Sequence, residues 1–183
     1  SNLIPARQRD YGLSNVDRTH IFKLNWLADL PKVPWRNAGV RAVLNNWQFL
    51  GITSFVSGQP VAVSFSTTAS MDITGSPTDG PRIDVVGDPV LPKSERSFSR
   101  NFRTEMFALP AVRTIGNAGK TQLRGPGINN WDVALFKNIP VYESMRIQFR
   151  WEFYNAFNHT QFSSFSAGAL FSPAGAQGNP GFG

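Results

Sequence analysis

A chain of 183 residues with 16 Gly, 13 Pro, 15 Phe and 5 Trp but only 16% charged residues is rich in turns and aromatics and poor in helix formers, which points to an all-β class. The formal charge of +6 comes from basic residues scattered through strands and loops, not from one run or helix face, so nucleic acid is not an expected partner. Absence of cysteine removes a disulfide framework, a thiolate metal site and a cysteine nucleophile, and leaves the compartment open.

Residues 1–18 are polar and irregular, without the basic-then-apolar pattern of a leader peptide. No stretch approaches the roughly 18 consecutive apolar residues of a spanning helix. A spanning strand is still allowed, because lipid-facing strands show only alternation over about ten residues. A strand is expected over 19–30, where "HIFKLNWLADLP" puts Phe22, Leu24, Trp26, Ala28 and Leu30 on one face and Pro31 ends the run. A turn-like "PKVPWRNAG" follows. Residues 45–65 then read as one long strand or two shorter ones, interrupted at Gly58 and Pro60.

Residues 66–127 carry repeated Gly and Pro breaks ("TGSPTDGPR", "VVGDPVLPKSE", "RGPG") with little periodicity and read as one very long loop. Regular structure returns at 129–139 and 145–157, joined by the short turn "YES" into the clearest hairpin of the chain (128–157). In "MRIQFRWEFY" the alternation is strict. Met145, Ile147, Phe149, Trp151 and Phe153 share an apolar face; Arg146, Gln148, Arg150, Glu152 and Tyr154 share a polar one. The tail, 158–183, is rich in small residues, with Phe162, Phe165, Phe171 and Phe182 spaced along it as candidate contacts of an otherwise flexible segment. The layout is an antiparallel meander of about four long strands (a first pair over 19–65, a second over 128–157), with short turns at one end and long excursions at the other. Outer-membrane barrels have that asymmetry.

The run "RGPGINNWDVALFKNIPVYESMRIQFRWEFYNAFNHTQF" (124–162) resembles the C-terminal barrel region of large TonB-dependent outer-membrane receptors with an N-terminal carboxypeptidase-regulatory-like domain. "YGLSNVDRTHIFKLNWLADLP", "NNWQFLGITSFVSGQPV", "VVGDPVLP" and "FALPAVRTIGNAGKTQLRGPG" match in the same order. The resemblance implies a segment of barrel wall in the bacterial outer membrane, serving uptake of a bulky nutrient, with the Arg146–Arg150–Glu152 face toward the lumen and the 66–127 loop meeting ligand outside the cell. TonB is then a partner only as part of a full receptor. About four strands fall short of the roughly 8 of the smallest barrels, and the plug and the family's terminal aromatic strand lie outside this sequence. The alternative is a secreted or surface subunit that completes its sheet with other copies of itself, as a ring or filament, through its open edges. The apolar face then meets lipid in the first case and a neighbouring subunit in the second. Trp26, Trp47, Trp131 and Trp151 correspondingly belong either to interfacial aromatic girdles or to ordinary burial.

Other chemistry is weak. "GNAGKTQ" ends like a phosphate loop, but Thr114 stands where the first Gly is required. His20 and His159 lack ligand-spaced companions, and Asp72, Asp79, Asp84 and Asp88 lack calcium-loop spacing. Asn158 opens an "NHT" acceptor pattern of no expected consequence. Glu152, flanked by Arg150 and Tyr154, reads as part of an ion-pairing polar face, not as a general acid. Neither an enzyme nor a cofactor or metal is expected.

Overall fold

The computed structural model describes residues 10–76 and 80–183. In chain order the elements are β1 (Ile21–Asp29), α1 (Ala38–Leu44), β2 (Trp47–Val56), β3 (Pro60–Val61), β4 (Ser64–Thr67), β5 (Asp84–Val85), β6 (Phe107–Ala108), β7 (Leu123–Arg124), β8 (Ile128–Tyr142), β9 (Met145–Phe153) and β10 (Gly168–Phe171). The chain divides into two compact units.

The first unit, 19–57 with 127–161, is an antiparallel sheet in the order β1-β2-β8-β9. The fold is all-β, a partial barrel that is not closed. β1 ends where Leu30 gives the sheet its last backbone bond before Pro31. β2 stops at Val56, ahead of Gly58 and Pro60, and β3 begins at Pro60, so the 45–65 stretch is interrupted where its breakers stand. β8 and β9 turn through Glu143 and Ser144, with Glu143 at φ 44°. Ile21, Val56 and Ile128 lie level at one end of the sheet, where the 58–126 excursion leaves and returns. The opposite end carries the β8–β9 turn and the 30–46 connection with α1. Short and long connections therefore fall at opposite ends.

The sequence did not signal α1. Asn37 caps it, its Oδ1 accepting from the amides of Gly39 (2.8 Å) and Val40 (3.2 Å). Asn45 closes the connection by bonding Val33 in both directions.

The second unit comprises 58–126 and 162–183 with the residues up to 18; positions 1–9 of the lead-in and Asp79 lie outside the described residues. Residues 66–127, read from sequence as one long loop, and the tail from 158 onward, read as a flexible segment, supply most of its short strands. β3 pairs with β7 and β5 with β6 antiparallel, while β10 runs parallel to β4. Its core is formed by Val63, Ile83, Phe102, Phe107, Leu123 and Phe171, among others. Phe102 centres an aromatic cluster, with ring centroids 5.6 Å from Phe107, 5.4 Å from Phe165 and 5.1 Å from Phe182. Cohesion here comes from contacts distant in sequence, which strand periodicity does not register.

Candidate functional site

The candidate functional feature is the pair of faces of the four-stranded sheet. Cα partners in register share a face, so each row can be read straight across. Phe22 and Phe55 stand beside Asn129; Leu24 and Thr53 beside Trp131; Trp26 and Gly51 beside Val133 and Phe153; Ala28 and Phe49 beside Leu135 and Trp151; Trp47 beside Lys137 and Phe149; and Ile139 beside Ile147. This side is apolar nearly throughout. From the level of Asn129 to that of Ile139, β8 rises about 34 Å. At a barrel tilt near 45° that projects to about 25 Å, the height of the apolar band of a membrane barrel.

Met145, Ile147, Phe149, Trp151 and Phe153 are all exposed on this face, Phe149 by 50%. Trp26, Trp47, Trp131 and Trp151 share it. Ring contacts tie the strands together: Trp26 to Phe49 at 4.9 Å, Phe55 to Trp131 at 5.8 Å, and Trp47 stacked on Trp151 at 5.7 Å, across β8. Lys137 is the exception, a cation on the apolar face and only 5% exposed. Its Nζ lies 5.0 Å from the Trp47 ring centroid and donates to the carbonyls of Val43 (3.0 Å) and Asn45 at the end of α1. A lone lysine among Trp131, Val133, Leu135 and Ile139 is the sequence signal for this contact.

The other face carries a line of side-chain hydrogen bonds across all four strands. Gln148 donates to Asn138 (2.8 Å), Asn138 to Gln48 (3.0 Å) and Gln48 to Asp29 (2.8 Å). The amides point the same way, and such chains polarise one another. Arg150 feeds the line by donating to Gln148 (3.1 Å), while its guanidinium covers Phe136 at 4.4 Å from the ring centroid. Arg150 also pairs with Glu152 at 3.6 Å, and Tyr154 donates to Glu152 at 2.8 Å. Just past the end of β9, the Tyr154 phenol is held above its ordinary pKa by that hydrogen bond and by the charge of Glu152. Arg146, at the turn end, completes the polar set and lines a pocket of about 430 Å³ together with Asp29, Gln48 and Asn138. Further along, a pocket of about 470 Å³ is lined by Leu27, Ile52 and Phe136 together with Asp132, Glu152 and Tyr154.

The remaining sequence candidates lie in ordinary local structure. The His20 amide donates to Ser57 Oγ, and the His159 ring meets the Asn129 carbonyl. Asp72, Asp84 and Asp88 accept from the backbone amides of Gly75, Asn117 and Val90. Gly119, Lys120 and Thr121 precede the two-residue β7, with no helix after them. In the second unit Phe171 and Phe182 are buried, Phe165 packs against the same core, and Phe162 stays 49% exposed beside Phe98.

A family model described as an outer membrane beta barrel domain matches residues 2–183, nearly the whole chain. No curated protein and no solved structure matches it significantly.

Proposed function

The chain belongs to the outer membrane beta barrel domain family, and from that premise we propose that its four-stranded sheet is barrel wall in a TonB-dependent receptor for nutrient uptake. Location in the outer membrane and a place in a barrel wall follow from the family; the transport role is the proposal. The observation that carries it is the asymmetry of the sheet: one face is aromatic, and the charged and hydrogen-bonded groups from Asp29 to Glu152 stand on the other, around an apolar patch of Leu27, Leu50 and Ala134. Water in a lumen and hydrocarbon outside ask for that arrangement. In this reading Phe149 and Trp151 face lipid, Arg146, Arg150 and Glu152 face the lumen, and the excursion from Val56 to Ile128 leaves at the outer end. The test is uptake and growth on bulky nutrients by cells carrying or lacking the encoding gene, with and without TonB. Loss of uptake of one nutrient class in both deletions supports the proposal, and uptake indifferent to TonB removes it.

A second reading is favoured by the open edges. Among the described residues β1 and β9 each pair on one side only, and unpaired edges template pairing with another chain. A surface subunit would close them with copies of itself into a ring or filament. Negative-stain microscopy of detergent-free material separates the two: regular assemblies support the subunit, and aggregate that disperses only in detergent supports the wall.

A further inference from the structure

The 30–46 connection carries a surface that the barrel wall does not require. Its sequence, "LPKVPWRNAGVRAVLNN", holds Lys32, Arg36 and Arg41 and no acidic residue. All three cations are exposed, and none forms an ion pair among the described residues. Interleaved with them are exposed apolar side chains: Trp35 at 52%, Val43 at 64% and Leu44 at 43%. The segment is not a loose loop, since Asn37 caps its helix and Asn45 clasps Val33.

Its position follows from two bonds. Trp47 and Lys137 are register partners on the apolar face, and both reach the same carbonyl, that of Val43: Trp47 Nε1 at 2.8 Å and Lys137 Nζ at 3.0 Å. The C-terminal end of α1 is therefore drawn toward the apolar side, at the short-turn end of the sheet. A basic, aromatic segment beside the edge of an apolar band matches the boundary between hydrocarbon and charged headgroups, where tryptophan rings and arginines settle.

We propose that the 30–46 connection is a membrane-interface anchor that binds anionic phospholipid headgroups of the leaflet at the short-turn end. Arg36 and Arg41 meet the phosphates, while Trp35, Val43 and Leu44 enter the interfacial layer; Lys32 instead lines the pocket that holds Asp29 and Arg146. Lys137 and Trp47 hold the helix in place. The proposal rests on the reading that the apolar face meets lipid. Each basic side chain at an anionic surface contributes about a fivefold factor, so the two together favour attachment on the order of twentyfold.

The absence of native cysteine allows a clean test on the full chain. One variant carries an environment-sensitive fluorophore at Val43→Cys and a second carries it at Phe149→Cys. Both are inserted into vesicles of phosphatidylcholine alone, or of phosphatidylcholine with phosphatidylglycerol, each containing lipid-borne quencher. The expected result is quenching at position 149 in both vesicles and at position 43 chiefly in the anionic one. That difference should vanish in high salt and in the Arg36→Gln/Arg41→Gln variant. Equal signals at position 43 in the two vesicles, with position 149 still quenched, overturn the anchor and leave the wall standing. An unquenched position 149 overturns the wall reading, and the anchor with it.

Discussion

The indole of Trp26 lies across Gly51, its register partner on the adjacent strand, so that a Cβ at position 51 would overlap the ring. The ring is also held edge-on to Phe49 at 4.9 Å, and its Nε1 donates to Thr53, which is only 1% exposed. Gly51 is a gap in the apolar face that Trp26 fills from the next strand. Gly51→Ala should therefore displace the ring and cost about 1–3 kcal/mol, as overpacking does. In the Trp26→Leu background the same change should cost much less. Denaturant titration of the four members of this double-mutant cycle measures the coupling; additive effects would show that the ring does not depend on the gap.

Lys137→Met keeps the stem that packs under Trp47 and removes the two bonds to the end of α1. Hydrogen bonds from a charged donor contribute about 1.5–3 kcal/mol, and the bonds here hold the 7-residue helix to the sheet. Amide exchange at Val43 through Asn46 should accelerate while protection in β8 and β9 is kept. Unchanged exchange there would mean that Asn37 and Asn45 fix the helix without the lysine.

Interrupting the amide line in the middle should cost more than interrupting it near its end. Gln48 and Gln148 each bond two side chains, but Gln48 is half-buried, so water replaces its bonds to Asp29 and Asn138 less readily in Gln48→Leu. Gln148 is more exposed, and water can replace it in Gln148→Leu. The expected losses are about 1–3 kcal/mol for the first and under ~1 kcal/mol for the second. Thermal unfolding in detergent compares them, and equal losses would show that the line does not act as a unit.

Tyr154 gives a pH signature. Its phenol is raised above the ordinary value first by the hydrogen bond to Glu152 and then by that carboxylate's charge. The folded state thus favours the neutral phenol. Its contribution is whole below the ordinary phenol pKa of about 10 and is lost as pH climbs through the raised value. Titration of phenolate absorbance should show one of the three tyrosines ionising late. Glu152→Gln should bring it earlier; an identical curve in that variant would remove the Glu152–Tyr154 contact from the account.

The sheet was legible because its information is local. Period-two alternation placed Met145 through Phe153 on one face, and breakers at Pro31, Gly58 and Pro60 marked where strands stop. The second unit was not legible, because Phe102 meets Phe182 and β4 meets β10 from distant parts of the chain, while its strands are two to four residues long. Helix α1 was hidden inside a stretch whose prolines read as a turn, although Asn37 stands in a capping position ahead of "AGVRAVL". Lys137 was visible as the one charge among Trp131, Val133, Leu135 and Ile139. Only the register shows what it reaches.

The assignment of faces makes the sharpest prediction, because adjacent residues should respond oppositely. Phe149 and Gln148 are neighbours in β9 and point to opposite sides of the sheet. If the aromatic face meets lipid, Phe149→Arg places a charge in hydrocarbon level with Lys137, toward the short-turn end of the band, and costs about 1–2 kcal/mol, below the midplane value. Gln148→Arg adds a charge to a face that already holds Arg146, Arg150 and Glu152, in water, and should change stability by well under ~1 kcal/mol. Reversible unfolding from vesicles measures both. A costly Phe149→Arg beside a tolerated Gln148→Arg fixes which side faces the bilayer. The reverse order would turn the wall inside out, and tolerance of both would take the sheet out of the membrane altogether.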